Sequence, residues 1–259
     1  MHHIRRGSGR PLLLLHGLGS HSSSWAPILD ALAAEREVIA VDLPGFGETP
    51  PLPGEVSIAT LADAVIRFCA EQKLGAPDVV GSSMGARLVL ELARRGVVGA
   101  VVALDPGGFW KGWERLFFGT TIALSIRLVR LLQPVMRAIS GNPIGRTLLL
   151  AQFSAHPWSL PSELVLDEMR SFAAARSFDP LLTSLVASPM QEGLARGSAK
   201  RPIAIVWGES DRVCLPRQAE RAMARFPDAK LYWVKRCGHF PMWDQPAETV
   251  RIILETTRM

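Results

Sequence analysis

The chain has little cysteine. Cys69, Cys214 and Cys237 are scattered, odd in number and without C-x-x-C spacing. That argues against a disulfide framework and a zinc site, and fits a reducing compartment. Long apolar runs are missing as well. The longest uncharged part of the apolar middle, Leu116 to Ile126, is too short to span a bilayer. The opening "MHHIRRGSGRPLLLLHG" carries no small-residue cleavage site and ends its short apolar run in His-Gly, so it reads as a strand rather than a secretion signal. A cytoplasmic protein is expected. No Lys/Arg-rich run is interleaved with stacking aromatics, which speaks against a nucleic-acid partner. Metal-ligand spacing and a Gly-rich dinucleotide loop are absent too, so no cofactor is expected. There is no internal repeat or low-complexity segment, and nothing in the sequence fixes an oligomeric state.

What is present is a core. The 259 residues are 48% apolar and 20% charged, enough for one large α/β domain with an insertion. The net charge of +5 is unevenly placed: residues 108–200 hold ten Lys/Arg against six Asp/Glu, and Arg115 to Ser162 holds five arginines and no acid. A solvated helical face explains this. Attraction to an acidic substrate or to an anionic lipid surface, through peripheral membrane contact, is the sharper alternative.

Short apolar runs closed by turn residues alternate with amphipathic segments. "PLLLLHG" (11–17), "EVIAVDLPG" (37–45), "APDVVGSS" (76–83) and "GAVVALDP" (99–106) read as buried parallel strands. Helices are expected over Ser24–Ala34, Ile58–Gln72 (with Ser57 as N-cap) and 86–96. The same grammar returns in "RPIAIVWGESD", a helix from Pro216 to Arg225, "AKLYWVK" and a final helix from Pro246. Strand–helix alternation of this kind predicts an α/β fold, a mostly parallel sheet covered by helices on both faces. Residues 108–199 break the pattern. They show helical periodicity and no convincing strand, so a helical insertion over 108–199 interrupts a core made of 1–107 and 200–259. Pro134 should kink or end its longest helix.

The chemistry lies in "VVGSSMGARLVLEL" (79–92). Ser83 has Gly81 and Gly85 two residues to either side, which makes it the nucleophile of a G-x-S-x-G elbow between strand and helix. Such a turn lifts the hydroxyl off the sheet edge, needs small neighbours, and aims the next helix's N–H groups at a developing oxyanion. Met84 supplies one N–H. The Leu18 N–H in "HGLGS" is placed to supply a second, while His16 reads as a loop anchor. The base is expected on a loop after a later strand, and His239 in "RCGHFPMWDQP" fits better than His21, His156 or the terminal His2 and His3. The orienting acid should also end a strand. Asp211 in "VWGESD" takes the usual place; Asp105 is its competitor, Glu209 is less well placed, and Asp244 is expected to cap the last helix.

With "HGLGS", "DLPGFGET", "GSSMGA", "GESD" and "GHF" in this order, the chain resembles the α/β-hydrolase superfamily over essentially its whole length. The resemblance implies a triad of Ser83, Asp211 and His239, oxyanion donors at Leu18 and Met84, and a helical cap over 108–199. Too few residues precede "PLLLLHG" for two opening strands, so about seven strands are expected. Arg87, where many relatives carry a small residue, is expected to point to solvent, with contact to the cap as the alternative. A serine nucleophile implies acyl chemistry on a hydrophobic carboxylic ester as small-molecule partner, with Phe109 and Trp110 in the substrate pocket. Cleavage of a carbon–carbon bond in ring-cleavage diketo acids and a ligand receptor with vestigial turnover are the alternatives.

Overall fold

The computed structural model describes residues 1–258. Its seven strands are β1 (His3–Arg6), β2 (Pro11–Leu15), β3 (Glu37–Val41), β4 (Asp78–Ser82), β5 (Val101–Leu104), β6 (Ile203–Gly208) and β7 (Lys230–Val234). They form one sheet in the order β1-β3-β2-β4-β5-β6-β7. Every pair is parallel except β1 with β3, where His3 faces Val41 and Arg6 faces Val38. Seven strands in a mostly parallel sheet agree with the sequence pattern.

The apolar runs are strands because both of their faces are covered. Leu12 to Leu15 in β2, all of β4 and β5, and all of β6 are buried. Helix α1 (Ala26–Ala33) carries the chain from β2 outward to β3, and α2 (Ile58–Glu71) carries it back past β2 to β4. Right-handed crossovers in opposite directions put these two helices on opposite faces of the sheet. Ser57 caps α2 as expected, in a reciprocal capping box with Thr60. Helix α3 (Met84–Arg94) follows β4 directly and packs beside α2.

Between β5 and β6 the described chain forms helices only: α4 (Trp113–Leu131), α5 (Met136–Gly141), α6 (Pro143–Leu150), α7 (Ser162–Ala174) and α8 (Phe178–Ala187), with 3₁₀ turns at Gln133–Val135 and Pro157–Ser159. Pro134 acts as anticipated. Helix α4 stops at Leu131, and the following helical stretch leaves it at 61°. Among the described residues no single helix is long and apolar enough to cross a membrane. The chain closes with α9 (Gln218–Arg225), the short α10 (Pro241–Asp244) and α11 (Pro246–Thr257), which packs on α1. Three helix starts differ from the pattern, α3 beginning at Met84 rather than at 86. Residues 22–25 form a 3₁₀ turn ahead of α1, and α9 begins two residues after Pro216.

The far end of the sheet, opposite the strands' carboxyl ends, is held by a buried ion pair. Asp78 at the start of β4 is fully buried; its Oδ2 accepts from Arg36 at 2.6 Å, and its Oδ1 accepts from Arg10 and from the Ala100 N–H. Arg36 also donates to the Pro11 and Thr257 carbonyls. One carboxylate therefore joins β4, the start of β5 and, through Arg36, the end of α11. Removing it strands a buried guanidinium, so Asp78→Ala should cost about 3–5 kcal/mol. Arg6→Ala, which breaks the exposed pair with Asp30, should cost less than about 1 kcal/mol. Urea unfolding midpoints of the two variants check the contrast, and equal small losses would refute it.

Candidate active site

The carboxyl ends of β2, β4, β5, β6 and β7 lead into loops at one edge of the sheet, where parallel strands place their functional groups. Ser83 follows β4 with φ 55° and ψ −111°, outside the conformations L-residues favour. The strain is imposed by its neighbours. A Cβ on Gly81 would collide with the Gly85 carbonyl, and one on Gly85 would collide with the Leu15 carbonyl. Glycine at both positions lets the chain turn from strand to helix within van der Waals reach of β2. The Ser83 N–H is fixed to the Leu104 carbonyl at 2.9 Å.

His239 arrives on the loop after β7. Its Nε2 lies 2.8 Å from Ser83 Oγ and its Nδ1 lies 2.9 Å from Asp211 Oδ2. A carboxylate only accepts, so the ring proton sits on Nδ1 and Nε2 accepts from the Ser83 hydroxyl. Asp211, after β6, is itself fixed: its Oδ1 accepts the Val213 and Cys214 N–H groups at 2.7 and 3.1 Å. Ser83, His239 and Asp211 are all buried. The structure thus brings together the three residues singled out by spacing.

The competitors are placed elsewhere. Asp105 is buried beside Asp211, but its Oδ1 accepts from the Gly208 N–H at 2.8 Å. Burial, followed by the Asp211 charge, pushes Asp105 well above the usual carboxylate range, so it sits protonated behind the pair. Glu209 is exposed. His16 is an anchor as expected: its Nδ1 bonds the Gly17 carbonyl and its Nε2 accepts from Leu43, and burial lowers its pKa to about 4. His21 pairs with Asp167. Asp211, Cys214 and His239 place potential metal-donor atoms within 4.8 Å of one another. They fit a metal poorly. Burial raises the Cys214 thiol well above its ordinary value, and the Asp211 oxygens and His239 Nδ1 are already hydrogen-bonded.

A cavity opens from Ser83 and His239 toward the helical region. Leu18 and Met84 line it next to the serine, and Gly17 is packed so close that its own Cβ would touch that of Ser83. Met84 is the first residue of α3, so its N–H has no partner within the helix. Phe118, Ile122 and Ile126 from α4 form one wall, and Phe172, Phe178 and Leu185 from α7 and α8 form another. Its free volume is about 40 Å³, far below the ~300 Å³ of a small-molecule pocket. A substrate of any length has to displace these side chains.

Three expectations need correction. Phe109 does not line the cavity: its ring is fully buried against Phe226, 6.5 Å between centroids, while Trp110 does line it, stacked on Phe118 at 4.5 Å. Arg87 does not point to solvent. It is buried and donates to Gln191 Oε1, Ser188 Oγ and the Pro189 carbonyl, tying α3 to the end of the helical region, with burial lowering its pKa to about 10. Asp244 does not cap α11. Its carboxylate accepts from Ser154 Oγ and from the Ala155 and Gly238 N–H groups, fastening the His239 loop to residues 154–155. Sequence inspection missed Phe153, Phe172, Phe178 and Phe240, which line the cavity. Only the helical spacing of Phe118, Ile122 and Ile126 gave a readable sign of the cavity wall.

The sequence model described as the alpha/beta hydrolase family matches residues 12–252. An uncharacterised protein of Mycobacterium tuberculosis is 29% identical over 262 residues, 95% of this chain and 75% of the relative. A 2-hydroxy-6-oxononadienedioate/2-hydroxy-6-oxononatrienedioate hydrolase of Burkholderia vietnamiensis is 27% identical over 270 residues, 100% of this chain and 91% of the relative. Among solved structures, a thermophilic esterase from Thermogutta terrifontis superposes with a TM-score of 0.76 at 20% identity, covering 99% of this chain and 92% of that one.

The loop carrying Leu18 rests on a second buried acid. Ser20 Oγ donates to Glu168 Oε1 of α7 at 3.1 Å, and Glu168 Oε2 has no partner among the described residues. Burial, with a smaller contribution from Asp167, raises Glu168 to about 8. The folded state therefore holds this proton to higher pH than the unfolded chain does. Its stabilising contribution is complete below the ordinary Glu range and is lost as pH rises through about 8. Glu168→Gln cannot ionise, so its thermal midpoint should gain on the wild type between about pH 5 and about pH 9. A midpoint difference that stays flat over that range would show that Glu168 does not carry this proton.

Proposed function

The chain belongs to the alpha/beta hydrolase family, and from that membership we propose that it is a serine hydrolase cleaving a carboxylic ester with a hydrophobic acyl or aromatic part. One observation carries this reading: the continuous hydrogen-bond chain Ser83–His239–Asp211 opening into an apolar cavity. Ser83 Oγ attacks the ester carbonyl while His239 Nε2 takes its proton, and Asp211 stabilises the imidazolium that results. The carbonyl oxygen becomes an oxyanion held by the Leu18 and Met84 N–H groups. Collapse expels the alcohol, which receives the proton from His239. Water, deprotonated by the same histidine, then releases the acid from Ser83. Residues 108–199 act as the cap that selects the substrate, with Trp110 on the pocket wall.

A second reading is supported by the Burkholderia relative, whose name specifies hydrolysis of an oxo-dienedioate. The same serine, histidine and acid serve carbon–carbon cleavage. Such a substrate carries two carboxylates. Among the described residues the one arginine or lysine lining the cavity, Arg87, is already engaged by Gln191, Ser188 and Pro189. The apolar walls favour the ester.

Hydrolysis of p-nitrophenyl esters of increasing acyl length separates these outcomes. The wild type should turn over steadily. Ser83→Ala should lose about 10⁶-fold in kcat and Asp211→Asn about 10⁴-fold, both while folding normally. Undiminished turnover by Ser83→Ala would sink the serine mechanism. A wild type that prefers a chromogenic dienoate over every ester would establish the carbon–carbon reading instead.

A further inference from the structure

The helical region carries nearly all of the exposed apolar surface. Of ten large apolar side chains well exposed among the described residues, nine lie from Trp113 to Trp158, the tenth being Trp233. At 100° per residue, Trp113, Leu116, Leu124, Leu128 and Leu131 fall on one stripe of α4. Leu124 is 62% exposed and Leu131 75%. Phe118, Ile122 and Ile126 fall on the opposite stripe and line the cavity over Ser83. Helix α4 is thus apolar on both sides, one covered and one bare. Ile144 and Leu148 of α6 add a second exposed pair, beside Trp158.

The stretch of chain that forms most of this surface carries charge of one sign. No acid occurs from Arg115 to Ser162. Arg127 lies on the bare stripe itself, and Arg137 is exposed just beyond the bend; neither is in an ion pair among the described residues. Arg130 and Arg146 are engaged, with Asp179 and with backbone carbonyls. Arg217 sits over the Trp113 ring at 4.7 Å and is paired with the buried Glu114 at 2.6 Å.

We propose that the outer face of α4 docks on the surface of a membrane leaflet that contains anionic lipid. Exposed leucines enter the headgroup boundary, tryptophans stay at its polar edge, and unpaired arginines meet lipid phosphates. Charge selects this occupant over a second copy of the chain. A twofold contact through the stripe would bring Arg127 and its copy together without an acid to separate them. The helix lies on the surface rather than crossing it, because its inner side is packed against α7 and α8 and the chain bends by 61° at its end. An acyl ester held in the leaflet would then be about one helix diameter, ~10 Å, from the cavity. The docking itself does not depend on the ester reading.

Sedimentation of the full chain with vesicles tests this directly. Vesicles of phosphatidylcholine containing phosphatidylglycerol should pellet the protein at low salt, and phosphatidylcholine alone should pellet it far less. Each arginine near such a surface contributes about fivefold to partitioning, so Arg127→Glu with Arg137→Glu should weaken binding by about 25-fold or more. Leu124→Asp with Leu131→Asp should abolish it, with unfolding midpoint and p-nitrophenyl acetate turnover kept. Wild type that stays in the supernatant with both vesicles overturns the proposal, whether or not the variants fold. So does a dimer in light scattering that the Leu124/Leu131 variant disrupts, since that would assign the face to self-association. Retained ester turnover beside absent vesicle binding would remove the docking surface and leave the proposed function standing.

Discussion

The turn at Ser83 is the constraint on which the rest of the site depends. A non-glycine residue at φ 55° stores on the order of 1–3 kcal/mol, and the surroundings have to hold it there. Leu104 accepts its N–H, the Arg87 and Gly107 N–H groups bond its carbonyl, and β4 is buried between β2 and β5. Gly81 and Gly85 are required because β4, α3 and β2 approach each other too closely for a side chain. The result is a hydroxyl that projects from the sheet edge with no rotation of the backbone left to it.

Behind this hydroxyl a row of hydrogen bonds runs from Ser83 through His239 to Asp211. Asp211 is paired with His239; Asp105, another carboxyl in the same buried cluster, is pushed well above the usual carboxylate range because burial and its neighbour both oppose its charge. In a cavity walled by phenylalanine and aliphatic side chains, water screens little, so the interaction of Asp211 with His239 keeps more of its strength than it would at the surface. The acid that orients the histidine and the acid that does not differ by burial partners, not by distance along the chain.

The helical region is fastened to the core at two points, one midway along it and one near its end. Arg87 holds residues 188–191 from below, and Asp244 holds residues 154–155 to the loop of His239. Helix α4 presents one apolar face to the cavity and another to the outside.

Local spacing determined the strands, the elbow, its glycines and the identities of Ser83 and His239. Strands announce themselves by apolar runs, and the elbow by glycines two residues to each side, because those requirements are local to the backbone. The choice of Asp211 over Asp105 was only ordered by the sequence. Both end strands, and tertiary packing alone put Asp211 Oδ2 at 2.9 Å from the histidine while giving Asp105 to the Gly208 N–H. Arg87, Asp244 and Phe109 were misjudged for the same reason. Their partners lie about a hundred residues away in the chain, at Gln191, Ser154 and Phe226, and no periodicity encodes which distant segment a buried side chain will meet.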